Sequence, residues 1–467
     1  MSYPTTLGRP VVRRRESRGL FEIALFGSIV VLVGQSAAAQ EAYSTLYSFQ
    51  GPPDGAEPRA GLTLGKNGAL YGSTFYGGPN ECQSALGEYS CGTLFELAAV
   101  HGSPWKETVL HKFSGGDGAL PSANLVFDSV GVLYSTTQAG GAGSGTIFNL
   151  VPPSVVGGTW TESVIYNFTG GRNNVNRTPW GAVLIGPGGT LYTTANGDCC
   201  GSGTAVAVSP PTEPGGPWTG SVIYTFAGTA GGDPSAGFVS ERGALYGTTA
   251  LYSDEECVGA VSGCGSVYEL APPVALGETW TETTVYSFSS AIQDGGGPQD
   301  ALTVGPGGVL YGTTFWGGTG AACQFPDGVG CGTIFQLTPP AVEGGPWTEV
   351  VLYSFSGVNG DGAYPYGSVI LGPNGVLYGT TQYGGSSIAG SPCNYFGVSG
   401  CGTVFQLTPP IAPAVAWTET VLHSFSGLDG DGAIPWAGLT LSPEGVLFGT
   451  ASAGGIDGYG TVFALKP

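Results

Sequence analysis

The chain has 467 residues, 85 of them Gly, with 41% hydrophobic residues, only 10% charged residues and a formal net charge of −20. That apolar content excludes intrinsic disorder, and so acidic a balance excludes nucleic acid and anionic membrane as partners. Glycine spaced periodically through turns suits an all-β chain of many short strands.

At the start of the chain, Arg9, Arg13, Arg14, Arg15 and Arg18 precede an apolar run at 20–34, and Ala37-Ala38-Ala39 offers a small-x-small cleavage site. Residues 1–39 therefore read as a cleaved signal peptide and 40–467 as the mature chain. A membrane anchor is the competing reading. The run holds fifteen residues including Glu22, short of the about 20 that a spanning helix needs. Cleavage leaves 8 basic against 31 acidic residues and no transmembrane segment. The chain is expected to be secreted or held at the cell surface.

From there a stretch of the form Gly-Val-Leu-Tyr-Gly-Thr-Thr recurs seven times. Its aromatic falls at Tyr71, Tyr134, Tyr192, Tyr246, Tyr311, Tyr378 and Phe448. Repeats of this length imply stacked units sharing one core. Repeat cores start near 60, 122, 181, 235, 299, 367 and 437. Each carries four strand-like runs, in the sixth at 367–371, 376–381, 402–407 and 417–425. Gly372-Pro373-Asn374-Gly375 is a tight turn between the first two. Adjacent prolines such as Pro339-Pro340 and Pro409-Pro410, ahead of Trp347 and Trp417, mark exposed loops between the last two.

The last repeat stops after its third run, at 460–465, and the missing fourth run stands at 43–49. We therefore expect a seven-bladed β-propeller with four-stranded blades, its ring closed by the N-terminal strand completing the last blade. The loops between the second and third strands, and the connections from fourth to first, then share one face, called upper here. The long, variable segments lie on it, and binding is expected there.

Ten cysteines fall in pairs within the same upper loop of five repeats: Cys82/Cys91, Cys199/Cys200, Cys257/Cys264, Cys323/Cys331 and Cys393/Cys401. In an exported chain this implies local disulfides. Zinc is the alternative, but it calls for closer Cys-x2–4-Cys spacing. Whether the adjacent Cys199 and Cys200 bond to each other is left open by the sequence.

A repeat protein supplies its own control, since a residue present in most blades is structural. Glu107, Glu162, Glu282, Glu349 and Glu419 each follow the blade Trp by two and read as scaffold. His111 and His423 replace the Tyr of other fourth strands and read as packing aromatics rather than ligands, so neither histidine general-base catalysis nor a Ser-His-Asp constellation is supported. An Asp-Gly-Ala-x-Pro motif at Asp54, Asp117, Asp361 and Asp431 reads as a turn in which Gly takes the positive φ. The alternative is a Ca²⁺ site, best matched by Asp361, Asp429 and Asp431. Phe75, Tyr76, Trp180, Phe315, Trp316, Tyr366, Tyr383 and Trp436 cluster at upper-face edges. They read either as a platform for sugar rings or as packing between blades. Arg59, Arg172 and Arg177 lie on the same face and would hold a ligand carboxylate or pair with neighbouring acids.

The repeated G-V-L-Y-G-T-T, G-T-V-F-x-L and L-Y-S-F-S-G runs, with Asp-Gly-Ala-x-Pro, resemble the bacterial choice-of-anchor tandem-repeat family of GloVer type. The resemblance spans nearly the whole mature chain. It implies an exported protein and carries no established reaction. This chain departs from the pattern in ending at Lys466-Pro467 without an apolar tail. The leading expectation is a monomeric binding module whose upper loops take an extracellular glycan or partner protein, without evident catalysis. A carbohydrate-active hydrolase or lyase using paired carboxylates is the alternative, and an adhesive surface scaffold is a third.

Overall fold

The computed structural model describes residues 43–467 apart from 79–80, 85–86, 101–103, 156, 171–177, 198–201, 228–231, 252–263, 276–277, 290–292, 326–327, 343, 387–392, 396 and 413–414. Residues 1–39, read from sequence as a signal peptide, and Arg172, Arg177, Cys199, Cys200 and Cys257 lie outside the described residues.

Seven antiparallel sheets form a seven-bladed β-propeller. In the first blade the order from the axis outward is Thr63–Leu64, Leu70–Thr74, Thr93–Ala98 and Lys106–Lys112. The last blade is built from Thr440–Leu441, Leu447–Ala451 and Thr461–Leu465, with Ser44–Ser48 as its outer strand. The ring is closed as the sequence implies. Cys82–Cys91, Cys323–Cys331 and Cys393–Cys401 are disulfides in the upper loops, and Cys264 is disulfide-bonded as well. Among the described residues no helix is long and apolar enough to cross a membrane.

Each position of the repeated Leu-Tyr-Gly-Thr-Thr stretch has a separate physical task. The Leu is buried in its blade. The aromatic reaches the Trp of the following blade, as Tyr71 does Trp160 at 5.9 Å and Tyr246 does Trp347 at 5.8 Å between ring centres. The Gly makes room for the third-strand aromatic: a Cβ on Gly379 would sit 2.5 Å from Cζ of Phe405. The first Thr donates across to the next blade, from Thr380 to the Ala437 carbonyl and from Thr450 to that of Ala60, both at 2.9 Å. The second Thr pairs within its blade, as in Thr381 with Thr403 at 2.9 Å. The outer strand ends in a buried Phe that packs on the third-strand aromatic of the following blade. Phe355 meets Phe405 at 5.2 Å, and Phe49 meets Phe95 at 5.3 Å.

The Asp-Gly-Ala-x-Pro motif is a turn; Gly118 takes the expected positive φ, at 125°, but the glycine of the other three copies serves another purpose. The left-handed residue is the one before Pro: Glu57 at φ 52°, Leu120 at 60°, Tyr364 at 57° and Ile434 at 56°. Gly55, Gly362 and Gly432 are required by close approach instead; a Cβ on Gly362 would lie 2.5 Å from Thr381. The Asp carboxylate is committed to the turn. Asp361 accepts from Ser356 N and Ser356 Oγ at 2.7 Å and from Gly362 N at 2.7 Å. Asp431 accepts the same set from Ser426 and Gly432. Asp429, at φ 54°, is exposed.

At the rim each such Asp, and Asp294 of the looser Asp-Gly-Gly-Gly-Pro form, meets the fourth-strand Tyr or His of its own blade and, in most blades, the scaffold Glu of the next. Tyr47 donates to Asp54 at 3.0 Å and Tyr286 to Asp294 at 3.2 Å. His111 and His423 do more than fill an aromatic slot, since each also contacts this Asp, at 3.0 Å from Asp117 and 3.2 Å from Asp431. Burial, and next the charge of Asp54, Asp294 or Asp361, pushes Glu107, Glu349 and Glu419 up to about 7 from 4.5. One oxygen of each, Oε1, is buried without a hydrogen-bond partner among the described residues, which a neutral carboxyl tolerates better than a carboxylate.

These three groups hold protons in the folded state that the unfolded chain has released. Their favourable contribution is complete below the ordinary carboxyl range. It is lost as pH rises from about 4.5 to about 7. Thermal melting should therefore fall between pH 5 and pH 8. The variant carrying Glu107→Gln, Glu349→Gln and Glu419→Gln should melt higher than wild type at pH 8 and show a flatter profile. An unchanged slope in that variant would refute the assignment.

Candidate functional site

The residue after each motif Pro faces the upper end of the central axis. Around the ring these are Arg59, Ser122, Trp180, Ser235, Gln299, Tyr366 and Trp436, and together they line a cavity of about 110 Å³. At six of the seven positions the adjoining backbone accepts from the Thr of the preceding blade, as Thr136 donates to Gly181 O, Thr194 to Ala236 O, Thr248 to Asp300 O and Thr313 to Gly367 O; beside Ser122 it is Ser73 that donates, to Pro121 O at 3.5 Å. The mouth is therefore a ring of seven equivalent positions carrying five kinds of side chain.

Those side chains are distributed unevenly. Tyr366 and Trp436 stand 4.8 Å apart between ring centres, and the Arg59 guanidinium lies 5.1 Å from the Trp436 ring. Arg59 also covers Phe75 at 3.9 Å and pairs with Glu57 at 2.7 Å. Its Nε is buried without a hydrogen-bond partner among the described residues. Across the mouth Trp180 stands between Ser122 and Ser235 and is 40% exposed. Gln138 also lines the cavity, donating to Ser122 at 2.7 Å, as does Asn124, which accepts from Gly61 N at 2.6 Å.

Asp300 is the mouth's blade-specific acid. Ala60, Ala123, Gly181, Ala236, Gly367 and Ala437 hold its position elsewhere. Burial raises its pKa, opposed by hydrogen bonds from Ala301 N and Ser368 N, each 2.7 Å. Tyr366 is pushed up by burial and next by the charge of Asp300, while Arg59 acts in the other direction. A hydroxyl, a carboxyl and a guanidinium thus share one apolar-walled recess, able to grip a polyol edge while aromatic rings take its C–H face.

Of the residues singled out from sequence, Trp180, Tyr366 and Trp436 come together at the mouth. Phe75 and Phe315 are buried beneath it, Phe75 under Arg59 and Phe315 at 6.0 Å from Tyr366. Trp316 is buried, Tyr76 packs on Phe75, and Tyr383 stacks on Tyr395 at 4.6 Å. Sequence reading passed over Asp300, Gln138, Gln299 and Asn124. The signal that finds them is their fixed offset from the motif Pro or from the Thr-Thr pair.

The sequence profile of the Gloeobacter/Verrucomicrobia repeat matches residues 32–254 and 181–463, and the chain belongs to that family. No curated protein matches it. Among solved structures, similar ones include an α-L-arabinanase of Penicillium chrysogenum complexed with arabinobiose. It is 14% identical, with 73% of this chain and 92% of that one covered and a TM-score of 0.40. An α-L-arabinofuranosidase of Fusarium graminearum is 12% identical, with 91% and 97% covered and a TM-score of 0.40. The polysaccharide lyase Uly1 is 10% identical, with 88% and 90% covered and a TM-score of 0.44. At such identities and scores none of them bears on substrate or chemistry.

Proposed function

We propose that this member of the Gloeobacter/Verrucomicrobia repeat family is an exported glycan-binding propeller whose upper mouth takes the end of a sugar chain. The observation that carries the reading is the mouth ring itself. Three of its seven equivalent positions are aromatic, and Gln299, Arg59, Gln138, Asn124 and Asp300 supply polar groups around the same cavity. A volume of about 110 Å³ is well below the roughly 300–1,000 Å³ of pockets that enclose a whole drug-sized ligand. It suits insertion of one terminal unit, with the chain leaving upward. Export rests on the basic-then-apolar start of the chain and on disulfides, which persist in oxidising compartments.

Thermal melting of the purified protein against a panel of soluble glycans and envelope polysaccharides tests this. A binding glycan at 100 times its Kd stabilises the fold by about 2.7 kcal/mol, a readily seen shift. Blank results across the panel sink the proposal and favour a partner protein or a surface scaffold. One feature favours a hydrolase as second reading: Asp300, a carboxyl with raised pKa set against Tyr366. Two free carboxyls are the usual requirement, and Glu57 is held by Arg59. Product analysis of any glycan that shifts the melt distinguishes the two.

A further inference from the structure

We propose that His111, Asp117 and Glu162 form a divalent transition-metal site, of the kind zinc occupies, at the rim between the first and second blades. The ligating atoms of the three all lie within 4.8 Å of one another, and each side chain is partly buried. Nε2 of His111 stands 3.0 Å from Oδ2 of Asp117. The other Asp117 oxygen is held by Ser114 N at 2.8 Å and Ser114 Oγ at 2.9 Å, which fixes the carboxylate's orientation. Glu162 brings an oxygen, Oε1, that is buried with no hydrogen-bond partner among the described residues. Two ligands on a tetrahedral zinc with bonds of about 2.0–2.2 Å lie about 3.4 Å apart, so small side-chain rotations close the set. One imidazole and two carboxylates leave a fourth position open, and they suit zinc better than the all-oxygen preference of Ca²⁺.

The repeat supplies the comparison that makes this more than a chance cluster. At the corresponding rim of other blades a Tyr stands in the His place, as Tyr47 beside Asp54 and Tyr286 beside Asp294. A phenol there donates a proton to the Asp and offers no nitrogen. His423 does offer one beside Asp431 at 3.2 Å, but Tyr43 takes the place of the Glu and stacks on the imidazole at 3.6 Å. Among the described residues, His, Asp and Glu converge at this one rim. Asp117 lies five residues ahead of Ser122 of the mouth ring, but the metal site stands on its own ligands and does not depend on the glycan reading.

The test is titration of the intact protein with Zn²⁺ alone by calorimetry, and with Co²⁺ by its visible spectrum. We expect one equivalent to bind. His111→Tyr should fold, because Tyr occupies that place in other blades, and it should weaken binding by at least about tenfold. Glu162→Gln should weaken binding similarly. His423→Tyr should leave it unchanged. The assignment is overturned if no one-equivalent binding is found, or if His111→Tyr binds as wild type does.

Discussion

Phe49→Ala is expected to destabilise the propeller by about 3–5 kcal/mol, the usual range for emptying a buried Phe position. Phe49 is fully buried. It packs at 5.3 Å on Phe95 of the first blade and donates its backbone N–H to Gly460 O at 3.0 Å in the last. Its cluster also takes in Leu62, Leu70, Phe448 and Val462, so one side chain joins both sides of the seam. Urea denaturation of the variant measures the cost. Removing residues 43–49 altogether should be worse. Thr461–Leu465 would lose its outer antiparallel partner while keeping Leu447–Ala451, and Val462 and Phe463, now fully buried, would sit on an open strand edge. Such an edge pairs with other chains, so aggregated or strand-swapped material is expected. A truncated protein that stays monomeric and melts as wild type does would show that the strand is dispensable.

Trp436→Ala is expected to lower affinity for the glycan ligand by about tenfold or more, as loss of 1.4 kcal/mol or more of binding energy implies. The ring is the middle of the densest part of the mouth, touching Tyr366 on one side and the Arg59 guanidinium on the other. Its removal takes away the ring proposed to face the sugar and also loosens both neighbours. Trp180→Ala is the informative partner. Trp180 is 40% exposed and is flanked by small serines, so its loss should weaken binding while leaving the melting temperature nearly unchanged. Titration of both variants with a glycan found in the screen decides the matter. Undiminished affinity in both would move the site away from the mouth.

Blade number and closure were legible because they follow from periodicity and from one strand standing at the wrong end of the chain. Tyr71 and its six equivalents count the blades whatever the loops do. The site was only partly legible. Trp180, Tyr366 and Trp436 were singled out as aromatic, but so were Phe75, Phe315 and Trp316, which are buried beneath or beside the mouth. Composition cannot separate the two groups. The offset from the motif Pro does, and it picks out Asp300 as an acid where other blades have Ala or Gly. The turn motif was misread in one particular. Its glycines are expected at positive φ, which holds for Gly118 alone of the four; in every copy the residue before Pro, Glu57, Leu120, Tyr364 or Ile434, carries it. Crowding against the facing strand, as at Gly362, is invisible until the strands are placed. His111 and His423 were read as ring-for-ring substitutions, because a one-dimensional comparison shows shape and hides the Asp across the rim.

At six of the seven mouth positions the hydroxyl that fixes the adjoining carbonyl belongs to a Thr of the preceding blade and grips backbone. Identity at the neighbouring mouth position is therefore uncoupled from the architecture. Arg, Ser, Trp, Gln and Tyr all occur there on the same frame. On the proposed reading, recognition would be combinatorial: seven sockets on one frame, most of them separately exchangeable, with Arg59, Tyr366 and Trp436 changing as one group because they are in mutual contact. A relative's specificity should then be readable from seven letters, and a new one writable by changing them.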